Sequence, residues 1–426
     1  MLSYEIILHH VWKYKLFSTR ELKTTNHQML QIISAGIHNL DAGPDFFHAK
    51  VRINDTLWAG NVEIHLKSSD WLKHQHQKDK SYDNVILHVV WLADVPIYRT
   101  DKTEIPTLEL KDLVDPKIIS NYNLLKTNSD WIPCQQQLHS VDDLTKKLCL
   151  DRLLTERLEE KSLLIAQLHN HLKGSWEDTF YVIMAKSFGF KVNTLPFELL
   201  ANSLSQLILA KHKDQYLQIE ALIFGVSGLL DQNFTDEYPK VLQKEYQFLK
   251  VKYQLNSLEK QLWKFSKTRP DNFPTIRLAQ FSALICQSHH LFSKVIDIKE
   301  LNGFRTIFND LPIHKYWENH FVFDKLANKK SYQLGKNSVD SILLNAIVPL
   351  LFFYGKKIGK DFFVDQSLKL LELIKPEKNH IVQGFKEIGF EASNAFDTQA
   401  LIQLKKTFCD QKKCLNCAIG IKILKA

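Results

Sequence analysis

Asp45 and Glu63, eighteen residues apart in the run GPDFFHAKVRINDTLWAGNVEIHLKSSDW (43–71), are the acidic side chains best spaced to share a metal ion. Residues Phe46–Ile53 alternate like a strand, Asn54-Asp55 is a tight-turn pair, and Thr56–Lys67 reads as the return strand. Two carboxylates from neighbouring antiparallel strands can chelate one Mg²⁺ or Mn²⁺. Such a hard cation prefers oxygen ligands and can activate a water for attack on phosphate. Pairing through the turn sets Asp45 opposite Ile64 and Phe46 opposite Glu63, so strict pleating sends the two carboxylates to opposite faces. A one-residue bulge, expected at Gly60, returns them to one face. Within VEIHLK, Glu63, His65 and Lys67 share one face and Val62, Ile64 and Leu66 the other. The expectation is a charged row in a cleft, with His65 or Lys67 orienting water or stabilising phosphate charge. The alternative is a plain Gly-Pro-Asp turn and an exposed Glu63–Lys67 ion pair.

The Pro-Asp, the spacer, and an acidic residue on the next strand resemble the PD-(D/E)XK nuclease superfamily. By that resemblance Asp45 and Glu63 are metal ligands in an α/β sandwich. His65 stands where the superfamily's catalytic lysine belongs, and Lys67 lies two positions on.

Histidines offer a rival chemistry. Nine of the 18 fall within the first 88 residues. His65, His74, His76 and His88 with Asp70 could bind Zn²⁺ or Mn²⁺, although no HExxH-type spacing is present; taken singly, each also suits a hydrogen-bonded structural role. A second cluster lies near the C-terminus, where Cys409, Cys414 and Cys417 in CDQKKCLNC have the C-x₄-C-x₂-C spacing that converges thiolates on a metal. Zinc and iron–sulfur centres usually take four ligands, and Cys134 in WIPC is the expected fourth. One early and three late cysteines resemble, in outline, the iron–sulfur clamp of some helicase-associated nucleases of the same superfamily. Reduced thiols packing a terminal helix are the alternative. From Lys405 onward six Lys face one Asp, suiting phosphate contact or a solvated tail. In RPDNFPTIRLAQF, Arg269 and Arg277 flank a helix start opened by Pro274. They could hold a phosphate there or pair with carboxylates. P-loop, GxGxxG and GxSxG signatures are absent.

These residues need a scaffold, and composition regimes change near residue 130. Before it come an opening helix (Tyr4 to Leu16, with Tyr4, Ile7, Leu8, Val11 and Tyr14 on one face) and the hairpin. A polar connection, SSDWLKHQHQKDKSYD, leads to NVILHVVWLAD, which reads as a buried central strand. IYRT and TLELK read as further strands. After it the pattern is helical, from the long segment after Leu144 to Thr398–Phe408. The fold class expected is α+β: an α/β sandwich over 1–127, an all-α domain over 128–405, and a Cys-rich basic tail over 406–426 that packs back. With 426 residues, 45% hydrophobic and 24% charged, the chain is globular, neither disordered nor a disulfide scaffold. The net charge of +8 permits a polyanionic partner. SILLNAIVPLLFFYG, from Ser341, contains Asn345 and Pro349 and reads as a buried bent helix rather than a span of roughly 20 residues. No membrane partner and a cytoplasmic setting are expected.

The strings GPDF, VEIHLKSSDW, YDNVILHVVW, RPDNFPTIRLAQF and CLNCAIG are similar to the bacterial domain-of-unknown-function family 2851. The reading reached is a Mg²⁺- or Mn²⁺-dependent nuclease-like protein acting on DNA or RNA. The alternatives are a non-catalytic nucleic-acid or protein-binding scaffold, and a histidine–metal hydrolase.

Overall fold

The alternating segments pair into a six-stranded mixed sheet in the computed structural model of the chain, which describes residues 2–266, 268–288, 290–329 and 332–426. Strands β1 (Leu30–Ser34), β3 (Phe46–Ile53) and β4 (Thr56–Lys67) are antiparallel neighbours, and β2 (Ile37–His38) also pairs with β3. Strands β5 (Val85–Leu92) and β6 (Thr107–Glu109) continue the sheet parallel to β4. The Val-rich β5 is central, and its first six residues are buried, as a strand covered on both faces requires. IYRT forms no strand. Tyr98 makes a single bridge to Glu104, while Asp83 accepts hydrogen bonds from Thr100 and Asp101 from Thr103, so side chains take the backbone groups a ladder would use. Helix α1 (Leu2–Lys13) packs against β4 through Ile7, Leu8, Val11 and Trp12. The expected stripe is therefore rotated, since Tyr4 and Tyr14 are exposed and Trp12, whose indole donates to the Ala35 carbonyl at 3.0 Å, takes the buried place.

The hairpin register contains the expected irregularity at a different residue. Ile53 pairs with Thr56 and Ala49 with Gly60, but Phe46 pairs with Val62, one residue out of step. The extra residue sits on β3 at Phe47–His48, where His48 has the left-handed φ of +58°, and not at Gly60. Gly60 serves another purpose: a Cβ there would stand 2.4 Å from Ile86 Cγ2 and 2.6 Å from the Asn84 carbonyl oxygen, so its absence lets β5 approach. The slip sets Asp45 level with Glu63.

The chain divides into two compact units, Met1–Asp151 with 384–390 and 402–426, and Arg152–Gln383 with 391–401. The expected boundary near 127 falls inside the first unit, and the C-terminal tail belongs to that unit. Besides the sheet, the first unit holds α2 (Asp70–Lys73), α3 (Pro116–Thr127) and the start of α4 (Asp143–His171). In the second unit follow α5 (Trp176–Phe188), α6 (Thr194–Ser203), α7 (Gln206–Ala210), α8 (Tyr216–Val226) and α9 (Glu237–Tyr253). Next come α10 (Pro274–Gln287), α11 (Leu291–Asp297), α12 (Leu301–Thr306), α13 (Lys336–Ile342), α14 (Val348–Ile358) and α15 (Asp361–Leu373). The second unit is not purely helical, because β7 (His320–Val322) and β8 (Lys325–Leu326) form a short antiparallel hairpin. Helices α13 and α14 join through a π-turn at Leu343–Ile347, and Pro349 sits in the first turn of α14. The run 336–358 is long and apolar enough to cross a membrane by length and composition, yet 78% of its most apolar window is buried in the protein. Helices α16 (His380–Glu387) and α17 (Ala395–Gln403) carry the chain back to the first unit, which ends with α18 (Ala418–Leu424).

Candidate metal centre

The bulge at His48 is what makes a site. With Asp45 level with Glu63, the Asp45 amide donates to Glu63 Oε2 at 3.1 Å, and the Ile64 amide donates to Asp45 Oδ2 at 2.9 Å. The two carboxylates thus lock the strands to each other and converge. Glu63 is buried, whereas the Asp45 side chain keeps 22% of its surface exposed. Helix α1 closes the exposed side: His9 Nε2 stands 3.3 Å from Asp45 Oδ2, and Glu5, one turn earlier, faces the same charges.

Histidines complete the ring. In the parallel ladder Glu63 is level with His88, which brings His88 Nε2 to 2.8 Å from His65 Nδ1. His65 Nε2 lies 3.1 Å from His74 Nδ1 and 3.5 Å from Glu63 Oε1, and His76 Nε2 lies 3.4 Å from the same oxygen. His74 and His76 come from the short turn after α2, where Gln75 between them takes the left-handed φ of +62°. That turn is anchored from below. Trp71 is fully buried among Val85, Ile97 and Ile105, and the Tyr82 ring lies tilted against His76 with ring centres 3.8 Å apart. Ser68 and Ser69 both bond Asp94, tying the end of β4 to the end of β5. One ring nitrogen each from His65, His74 and His76 lie within 4.8 Å of one another, and among the described residues no other trio of His, Cys, Asp or Glu does so.

The electrostatics follow from burying like groups together. Burial, then the charges of Asp45 and Glu5, push the Glu63 carboxyl up to about 9 against the pull of the Asp45 amide. Burial and the other imidazoles push His65 far below the usual histidine range; His76 falls to about 4 and His88 to about 3 for the same leading reason. Neutral imidazoles with free lone pairs are what a metal needs. His9 Nε2 and His76 Nε2 are buried without a hydrogen-bond partner, because their approaches to carboxylate oxygens lack bonding geometry. If His65 Nδ1–H donates to His88, Nε2 is left bare toward His74 and Glu63, the tautomer that ligation requires.

The expected residues therefore part company. Asp45, Glu63, His65, His74, His76 and His88 assemble, uniting the carboxylate and histidine alternatives in one place. Lys67 does not join them. It is exposed at the strand end beside Leu92, and its own amide donates to Asp70. Asp70 is occupied as well, because the Lys67 amide and Lys73 hold its carboxylate, keeping it below the usual range although burial pulls the other way. Arg277 is buried over the Phe190 ring and donates to Gln280, Asn272 and Ser338, neutral partners rather than a phosphate or carboxylates. Burial lowers it to about 10. Arg269 is exposed at the 3₁₀ turn before α10. Cys134, Cys409, Cys414 and Cys417 do gather, none of them in a disulfide, in the first unit. Sequence reading missed Glu5 and His9; their signal was an i, i+4 polar pair interrupting the apolar face of α1.

No curated protein and no solved structure matches the chain. Residues 5–380, spanning the helix, sheet and turn that build this centre, match the family described as "Protein of unknown function (DUF2851)", and the chain belongs to that family.

Proposed function

We propose that the first unit carries a divalent-metal-dependent phosphodiester hydrolase site of nuclease-like kind, with DNA or RNA as substrate. The observation that carries this reading is the meeting of Asp45 and Glu63 with His65, His74 and His76, two of whose neighbouring nitrogens, on His9 and His76, are buried and unpartnered. Orphaned buried nitrogens are costly unless a ligand satisfies them. Mixed imidazole and carboxylate donors suit Mn²⁺ or Zn²⁺ better than Mg²⁺, which prefers an all-oxygen shell. His65, His74 and His76 would hold the ion, and Glu63, whose Oε1 is 3.5 Å from His65 Nε2 and 3.4 Å from His76 Nε2, would close on it as a fourth ligand, with Asp45 at the open edge. A bound ion supplies Lewis acidity toward a phosphoryl oxygen and lowers the pKa of water. The protein's own part is to keep His65 in the ligating tautomer through His88, and to offer His9, beside Asp45, as a proton carrier at the exposed rim. Pro44-Asp45 entering β3 and Glu63 in the adjacent β4 follow the order that the PD-(D/E)XK resemblance implies, and the +8 net charge suits a polyanion.

A non-catalytic nucleic-acid-binding scaffold is the second reading, and Lys67 favours it: the residue whose ammonium would steady a phosphate is the exposed last residue of β4, while histidines stand against Asp45 and Glu63. The two separate in one experiment. Full-length protein is incubated with single- and double-stranded DNA and RNA under Mn²⁺, Zn²⁺ or Mg²⁺, beside Glu63→Gln and Asp45→Asn. Cleavage that both substitutions abolish supports the hydrolase. Cleavage indifferent to both overturns it. Metal-loaded protein that binds with steep salt dependence and never cleaves is the scaffold.

A further inference from the structure

The last turn of the chain and a loop 280 residues earlier meet around four thiols. Cys134 opens the 3₁₀ turn Gln135–Ser140, Cys409 ends a π-turn at Leu404–Cys409, and Cys414 and Cys417 bracket the 3₁₀ turn that leads into α18. The backbone is built to hold them there. The Cys417 amide donates to the Cys414 carbonyl at 3.2 Å, and Gly420 is a glycine because a Cβ would stand 2.3 Å from that carbonyl oxygen. α18 packs on α3 and on the turn after Cys134, and Asn121 Nδ2 donates to the Ile423 carbonyl at 3.0 Å. Lys412 Nζ donates to the carbonyls of Lys126 and Asn128, and Lys405 Nζ lies 5.0 Å from the centre of the Trp131 ring, three residues before Cys134.

We infer that Cys134, Cys409, Cys414 and Cys417 ligate an iron–sulfur cluster that fastens the C-terminal segment to the first unit. The inference does not rest on the hydrolase reading; the three late cysteines also lie beyond the residues matched to the family. Four thiols from separate turns, none in a disulfide, interact electrostatically with one another. Lys405 lies near Cys409 and Lys412 near Cys414, cations that offset the negative charge four thiolates would bring to the cluster. Spacing decides between metals. A single zinc with bonds of about 2.3 Å draws its sulfurs to within about 3.8 Å of one another. No three of these sulfurs lie within 4.8 Å of one another, whereas a cubane that binds each cysteine at a separate iron fills a wider opening. On ligation each thiol gives its proton to solvent, and four thiolates take the four irons.

The test is full-length protein purified anaerobically, or reconstituted with equal ferrous and ferric iron and sulfide, followed by visible absorption, electron paramagnetic resonance after dithionite, and iron, sulfide and zinc analysis. Brown protein with roughly four irons and four sulfides per chain, bleached by dithionite, is expected. Cys414→Ser, at a half-buried position, should lose most of that absorption, while Cys286→Ser, in the second unit, should keep it. Colourless protein holding one zinc overturns the iron–sulfur assignment, and colourless, metal-free protein in which Cys134, Cys409, Cys414 and Cys417 are all alkylated overturns the site altogether. The wild-type spectrum decides even if a cysteine variant fails to fold.

Discussion

Replacing Glu63 by glutamine should stabilise the metal-free protein. In the fold this carboxyl titrates at about 9 rather than near 4.5, mainly through burial and the adjacent Asp45. At pH 7 the unfolded chain carries it ionised and the native protein carries it protonated, so folding must bind a proton there. Taking up that proton some 2.5 pH units above the ordinary value costs about 3 kcal/mol. Glutamine is neutral at every pH, and its amide oxygen can still accept the Asp45 N–H. The sign follows from linkage: the native state binds more protons than the unfolded state between pH 4.5 and 9, so wild-type stability falls as pH rises through that window. The gain in Glu63→Gln is thus absent at pH 4.5, about 3 kcal/mol at pH 7, and larger at pH 8. For a unit of this size it raises the midpoint by roughly 5–10 °C at pH 7. Thermal unfolding in chelator at pH 5, 7 and 8 is the assay. Mn²⁺ or Zn²⁺ at a thousandfold excess over Kd should reverse the order, because about 4.1 kcal/mol then accrues to wild type and little of it to the variant. A variant less stable than wild type in chelator at pH 7, or one whose advantage ignores pH, refutes the reasoning.

The metal-free protein should be most stable near pH 6.5. Above it the Glu63 effect erodes stability. Below it His10 and His76, lowered by burial to about 4, and His88, lowered to about 3, stay neutral in the fold while the unfolded chain protonates, so stability falls toward pH 4; denaturant midpoints from pH 4.5 to 9 check the maximum. His88→Ala should weaken Mn²⁺ or Zn²⁺ binding 10–100-fold by calorimetry, since His88 orients His65 without being placed among the ligands. His48→Val should cost about 1–2 kcal/mol and weaken metal binding, because a β-branched residue resists φ +58°, whereas His48→Gly should do neither. Gly60→Ala should destabilise by roughly 2 kcal/mol through its clash with Asn84 and Ile86, read as a fall in the urea midpoint.

Local pattern determined a good deal of this protein. Alternation and the Asn54-Asp55 pair specify the 46–67 hairpin, the Val-rich run at 85–92 specifies a strand buried on both faces, and apolar periodicity specifies long helices such as α5 and α10, because period and turn chemistry are properties of consecutive residues. Residue type also nominated Asp45, Glu63, the histidines and the four cysteines. What the chain alone left open is where each one points. One left-handed residue, His48 and not Gly60, shifts the register and turns Asp45 toward Glu63. The parallel pairing of β4 with β5 sets His88 behind His65, and α1 swings His9 over the rim. Lys67 and Arg277 were also candidates in sequence and were lost to solvent and to the helical core. Convergence of side chains is a property of packing between distant segments, and a one-residue slip reverses a strand's faces without changing its pattern, so only the tertiary structure could decide it.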